Sequence, residues 1–507
     1  MRNLFKLFCL IVITQGLTAN PDIEQVSEIW INKNGHTILN DFKELLSIPN
    51  ISSNQENMLK NAKWIEAYIA QRGFKSEQII VGGAPWILAE RKVKGATKTI
   101  LFYAHYDGQP VQAENWATPP FEPTLRDGLV EDKSNVIAWP TPETPLNPEW
   151  RLFARSAGDD KAPVIGLMAA LDALDAAGIE PAVNIKLILD GEEEFGSDSL
   201  ENLLKQHADA LDADLMLFCD GPMHQSRKRQ LVFGVRGSMT VDVTTYGPTS
   251  PLHSGHYGNW APNPNHELVK VLSSLHNADG TIRVAGFMSD VIAPSQAELD
   301  AIKRMPDVGA MLQEKLNLGR TDLNGIRLEE AIMQPAIIIK GIDGGGAGPG
   351  KSRNIIQPSA TASLNIRLVP GQSVTRVMQQ LSDHFKKMGY LLLDKPATPE
   401  QLKKNKRVLF LSSSGGYRAY RSRMDSPEAQ EISQLLKEID GESPLLTPTM
   451  GGSLPIYLFE EYLDMPIIIF PVANHDNNQH GRNENLRLQN LWDAIAAYAV
   501  VISEYNK

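Results

Sequence analysis

The chain has 507 residues, of which 42% are apolar and 21% charged. That is the composition of a soluble globular protein with room for two or more domains, each burying a full core. A formal net charge of −11 argues against nucleic acid or an anionic membrane surface as a partner. The only cysteines are Cys9 and Cys219, too few for a disulfide framework.

In chain order, residues 1–19 come first. Arg2 and Lys6 precede the apolar run "LFCLIVITQGL", and "LTA" precedes Asn20. This reads as a signal peptide and predicts a secreted or periplasmic protein; the run is too short to span a bilayer. From Ile23 to about Gly73 the pattern is helical, with apolar residues of "NMLKNAKWIEAYIAQRG" at three- and four-residue spacing.

Apolar, β-branched runs follow: "TILFYAHYD", "NIKLILDGEEE", "DLMLFCDG" and, near the C-terminus, "MPIIIFPVANHD". Each reads as a buried strand. The helical segments "KAPVIGLMAALDALDAAG" and "SLENLLKQHADAL" lie between them. The alternation predicts an α/β domain with a mostly parallel sheet.

The middle of the chain differs. "QLVFGVRG" and "MTVDVTTYG" read as neighbouring strands, "NHELVKVLSSLHNA" as a helix, "ATASLNIRLVP" as a strand and "SVTRVMQQLSDHFKKMG" as a second helix. They predict a small α+β sandwich over 233–420, inserted between two parts of the α/β domain, 20–232 and 421–507. Within the insertion, "GGAGPGKS" (Gly345–Ser352) matches a phosphate-loop pattern. Such a loop needs a strand before it and a helix after it. The strand is present as "PAIIIKGI", but "RNIIQP" follows, with β-branched Ile355 and Ile356 and the helix-blocking Pro358. The string therefore reads as a flexible lid loop, and no nucleotide is expected.

Acidic and histidine residues gather just past the ends of the predicted strands, where parallel sheets bind ligands. They are His105 and Asp107; Asp190 with Glu192, Glu193 and Glu194; Asp220; Asp159 and Asp160, which open a helix; and His475 and His480. Carboxylates crowded at one sheet edge repel one another, and a divalent cation relieves that. Imidazole and carboxylate without thiolate suit a catalytic zinc site, with manganese or cobalt possible. Asp107 is spaced to accept the free ring N–H of His105. Of the adjacent acids Glu193 and Glu194, one can bind metal while the other takes a proton from water. Cys219 reads as a core residue.

Together these motifs resemble the co-catalytic zinc peptidases that include carnosinases, aminoacylases, glutamate carboxypeptidases and acetylornithine deacetylase. "AHYDGQP" resembles their His-x-Asp motif, "SAGDDKAP" their Asp-Asp-Lys motif with Ser156 and Ala162 in place of glycines, and "GEEEFGS" their Glu-Glu-x-Gly-Ser motif. The resemblance runs from about Trp64 to His480 and is greatest to the carnosinase-like branch.

It implies a zinc-peptidase domain with a mostly parallel central sheet flanked by helices, plus an inserted lid and dimerisation domain. Two zinc ions are implied, bridged by Asp159. His105 and Asp220 would complete one, Glu194 and His480 the other. Glu193 would be the general base, and Asp107 would orient His105. His253 in "LHSGHYGN" matches a lid histidine that reaches the partner subunit's active site. Arg367 in "NIRLVP" and Ser453 in "GGSLP" match residues that hold a substrate carboxylate. Asn354 departs from the pattern, standing where relatives have a hydroxyl residue that contacts substrate; with Arg367 and Ser453 it would hold that carboxylate.

The resemblance thus implies a homodimeric hydrolase of dipeptides or short peptides with a free C-terminal carboxylate. An N-acyl-amino-acid deacylase would use the same metals and the same carboxylate grip. A non-catalytic peptide-binding relative would lack Glu193 or a ligand, and all are present.

Overall fold

A computed structural model describes residues 22–507 except positions 324, 349 and 352. The expected signal peptide, and Pro349 and Ser352 of the glycine-rich string, lie outside the described residues.

The single helical stretch expected near the N-terminus is two helices, Ile23–Leu46 and Gln55–Ala70. Pro49 is the physical reason: it disfavours helical backbone at the residue before it. The second helix restarts at Asn54, whose side chain accepts the Asn57 N–H at 3.1 Å.

Among the described residues the larger sheet has eight strands. In spatial order they are Lys75–Ile79, Trp86–Arg91, Asn184–Asp190, Thr99–His105, Leu215–Phe218, Ile467–Ile469, Gln230–Val232 and Leu445–Thr447. The four central strands run parallel to one another, while Lys75–Ile79 and Trp86–Arg91 pair antiparallel at one side. The expected mostly parallel sheet is present.

Its central strands are apolar on both faces because helices cover both. Ile100, Phe102 and Ala104 pack with helices Ala162–Ala177 and Leu488–Glu504. Leu101 and Tyr103 face the other way, against helices Leu200–Leu211 and Ile456–Tyr462. Burying a side chain the size of Ile100, Leu101 or Phe102 contributes about 1.5–3 kcal/mol. These layers hold the strand ends, and so the polar residues that follow them, in fixed places.

The second sheet has the order Ala336–Asp343, Ser359–Leu368, Gly237–Tyr246, Val408–Tyr417, Leu391–Leu393. Gly237–Tyr246 and Ser359–Leu368 alternate buried and half-exposed residues. Their buried face meets helices Pro264–Ser273 and Val374–Lys387. The α+β character is as expected, and the alternation turns Arg367 to the face opposite those helices.

One expected pairing is absent. "QLVFGVRG" does not lie beside "MTVDVTTYG": Gln230–Val232 belongs to the larger sheet, and Gly234–Val235 pairs antiparallel with Tyr420–Arg421. Both chain crossings between the sheets run through that pair. Gly234 permits it, because a Cβ there would stand 2.6 Å from Tyr420 O and 2.9 Å from Pro448 O. After the glycine-rich string comes a short strand, Ile355–Ile356, where a phosphate loop requires a helix.

Candidate metal centre and active site

Parallel register places His105 opposite Asp190. The loops leaving those strands and Leu215–Phe218 therefore deliver His105, Asp107, Glu193, Glu194 and Asp220 to one sheet edge. Asp159 arrives from the turn before helix Ala162–Ala177, and His480 from the loop after Ile467–Ile469.

Two donor sets result, and they share Asp159. In the first, His105 Nε2 lies 2.8 Å from Asp159 Oδ1 and 4.0 Å from Asp220 Oδ2. In the second, His480 Nε2 lies 3.3 Å from Asp159 Oδ2 and 3.1 Å from Glu194 Oε2. Within each set the ligand atoms all lie within 4.8 Å of one another. Glu193 belongs to neither set, yet its Oε2 is 3.9 Å from His105 Nε2. His475 joins neither set.

Asp107 supports both the histidine and the acidic turn. Its Oδ1 is 3.3 Å from His105 Nδ1, too poorly aligned for a full hydrogen bond. Its two oxygens accept the backbone N–H groups of Glu193 and Glu194 at 3.0 and 3.1 Å.

Burial raises the Asp220 carboxyl to about 7, with His105 opposing and Asp159 and Glu194 adding to the rise. Burial likewise lifts Glu193 well above the carboxylate range. Burial opposes ionisation of Asp159 too, but hydrogen bonds from His105 and His480 hold it well below its usual value. Hydrogen bonds to Asp159 and Glu194 raise His480 to about 10. The cluster is an anionic crowd short of positive charge, and Glu194 Oε1 is buried without a partner. Nitrogen and oxygen donors with those needs fit divalent cations.

Several supporting residues were not legible as such in the sequence. Glu484 is fully buried and accepts backbone N–H groups from Ser156, Gly158 and Asp159 at 3.0, 3.0 and 2.9 Å. Arg155 Nη1 donates at 2.7 Å to Glu484 Oε2, the oxygen that also accepts the Ser156 N–H. Gln479 Nε2 donates to Asp159 Oδ2 at 3.0 Å. Lys161 is fully buried and donates to Leu45 O at 3.0 Å and Asn61 Oδ1 at 2.7 Å. The only signal for Glu484 is its place four positions after His480.

Of the expected substrate residues, Arg367 and Ser453 meet: Arg367 Nη1 donates to Ser453 Oγ at 2.6 Å. Tyr417 donates to Ser453 O at 3.1 Å. Burial raises the Tyr417 phenol to about 12, with Glu193 adding and Arg367 opposing. His253 and Asn354 form a separate pair of exposed residues. His253 pairs with Ile355 in a short ladder, and Asn354 O accepts the Ser254 N–H at 2.9 Å. Among the described residues, neither makes a hydrogen bond with the donor sets or with Arg367.

A sheet edge carrying two carboxylate–imidazole sets and a nearby acid outside both defines a metal-dependent hydrolase. The chain belongs to the peptidase family M20/M25/M40, whose model matches residues 101–504. It is 26% identical to the Cys-Gly metallodipeptidase dug1 of Schizosaccharomyces pombe, over 94% of this chain and 96% of that protein. It is also 26% identical to the human Beta-Ala-His dipeptidase, over 83% of this chain and 77% of that protein. Its fold is similar to that of human carnosine dipeptidase 1, at TM-score 0.73 and 22% identity, covering 95% of this chain and 98% of that one. It is also similar to the M20 family metallo-carboxypeptidase Sso-CP2 from Sulfolobus solfataricus, at TM-score 0.74 and 25% identity over 92% and 99% of the two chains.

The expected secreted or periplasmic location is corrected. The fungal Cys-Gly metallodipeptidases that the chain matches over most of its length are cytosolic, so the similarity gives export no support. Two basic residues ahead of a short apolar run are a signal of composition alone.

Proposed function

We propose that the chain is a metallodipeptidase that hydrolyses the peptide bond of dipeptides or short peptides with a free C-terminal carboxylate. The observation that carries this is Asp159, whose two oxygens face two imidazoles at 2.8 and 3.3 Å, the position of a bridging ligand. His105, Asp159 and Asp220 would hold one divalent cation; Asp159, Glu194 and His480 would hold the other. Such a pair supplies an acidified water and a polarised scissile carbonyl. Zinc suits the donors, with manganese or cobalt as substitutes.

Glu193 takes the proton from the attacking water and passes it to the leaving amine. Asp107 sets the His105 ring and the turn that carries Glu193. Arg367, helped by Ser453, holds the substrate carboxylate in a charge-assisted fork. Residues 20–232 and 421–507 form the catalytic domain, and 233–420 the lid. His253 and Asn354 act on the active site of a second copy, through a homodimer joined at the lid. The edge strand Ala336–Asp343 supports that arrangement: Ile338 and Ile342 on it are 45% and 62% exposed, an apolar edge unpaired among the described residues, of the kind proteins cover. The deacylase alternative is not favoured, because the relatives matched over most of the chain are named as dipeptidases.

The test is to quantify bound metal and to assay a panel of dipeptides and N-acetyl amino acids, with and without chelator. About two divalent ions per chain and chelator-sensitive dipeptide cleavage are expected. Preference for the acyl substrates would overturn the dipeptidase assignment.

A further inference from the structure

Arg236 lies where the chain passes from one sheet to the other, between Val235, paired with Tyr420, and Gly237, paired with Leu368. Its backbone N–H donates to Gly452 O at 3.1 Å. Its Nε and Nη2 both reach Gly451 O at 3.3 Å. Arg367 reaches the same loop at Ser453. Two guanidiniums therefore converge on the Gly451–Ser453 loop.

Among the described residues their side-chain hydrogen-bond partners are a carbonyl and a hydroxyl, and none is an anion. Burial lowers Arg236 to about 10, and repulsion from Arg367 adds to the fall. Two half-buried cations held together at a cost are relieved by an anion between them. A carboxylate offers about four lone-pair sites, enough to accept from both forks.

We infer that Arg236 is a second carboxylate-binding residue of the substrate site, meeting the peptide's C-terminal carboxylate together with Arg367. This rests on the dipeptidase function proposed above. It makes the free carboxylate a tie between three parts of the fold: the crossing strand, the Ser359–Leu368 strand and the Gly451–Ser453 loop. A peptide amide carries no charge to relieve the two cations, so discrimination against it exceeds what Arg367 alone provides.

The test is calorimetric binding of Ala-Gly and of its C-terminal amide to metal-loaded Glu193→Gln protein, with Arg236 intact or changed to Met, Lys or Gln. With Arg236 intact, the acid is expected to bind more tightly than the amide. Arg236→Met should reduce that preference about tenfold or more, and Arg236→Lys should restore part of it. If Arg236→Met does not fold, Arg236→Gln and Arg236→Lys carry the comparison. An unchanged acid-to-amide ratio, or equal weakening of both ligands, would assign Arg236 to loop support and overturn the inference. Wild-type turnover of Ala-Gly is measured in parallel. No turnover with the acid preference intact and sensitive to Arg236 would sink the dipeptidase activity alone. No acid preference in the Arg236-intact protein would sink the inference.

Discussion

Glu193 sits beside both donor sets without belonging to either, which leaves its carboxylate free to carry a proton. Glu193→Gln is expected to keep metal content and lose about 10²–10⁴-fold in kcat; metal analysis and steady-state kinetics on one preparation check this. Glu484 acts one step further back, its carboxylate gathering three N–H groups of the loop that presents Asp159. Glu484→Gln should weaken metal binding about 10–100-fold, read by competition with a chelating dye, while the protein still melts cooperatively. Asp476 carries the pH dependence that can be read away from the metal site. Burial works to raise its carboxyl, but hydrogen bonds from Arg151 and Asn474 hold it well below its usual value. A carboxyl depressed in the folded state stabilises it fully above the unfolded value of about 3.9 and loses that contribution as pH falls further. Asp476→Asn should therefore cost about 2 kcal/mol at neutral pH and progressively less below about pH 4, measured by denaturant unfolding across pH. The members of the two donor sets were legible because His, Asp and Glu are conspicuous at the ends of apolar strands. Glu484 was not, because an acid that accepts backbone N–H groups in the folded state looks, in sequence, like any other acid in a polar loop.

At the scale of elements, apolar runs and three- to four-residue spacing located the strands and helices, since burial on one face or two is written directly into those patterns. The breaks were harder to see. The split of "QLVFGVRG" between two pairings depends on how closely Gly234 approaches two carbonyls, a three-dimensional condition that leaves no periodicity. Gly234→Ala should destabilise by about 1–3 kcal/mol, since the obstructing atoms are backbone and cannot rotate away. Urea unfolding measures this, and a loss under 0.5 kcal/mol would show that the crossing can relax. The break before the second helix was readable in principle from Pro49, but helical spacing resumes so soon afterwards that the two segments look continuous.

At the scale of the whole molecule, the exposed pair His253 and Asn354 stands apart from the metal sets, which is where a residue serving a second copy belongs. If His253 acts across a dimer, combining His253→Ala and Glu193→Gln chains, each inactive alone, should restore one working site of two in every mixed dimer, about a quarter of wild-type activity overall after random 1:1 association. Mixed dimers verified by mass spectrometry and still inactive would count against it. The sheet-and-insertion architecture could be anticipated from the order of elements, whereas the separation of Asn354 from Arg367 and Ser453 could not: Arg367 meets Ser453, while Asn354 bonds Ser254 beside His253, a difference in three-dimensional placement that leaves no sequence pattern.

Lys161 carries a wider consequence. Its ammonium, next but one to Asp159 in sequence, rests on carbonyls of Leu45 and Ile48 and on Asn61. Those acceptors lie ahead of residue 101, where the family match begins. The catalytic centre is thus wired to a stretch of chain that the family signature does not cover. Shortened versions of the protein, natural or engineered, are tolerable only up to the first helix. Cutting through it to Leu45 would strand that ammonium in the interior two residues from Asp159, so a trimmed protein that folds would be expected to show the damage in its hold on metal.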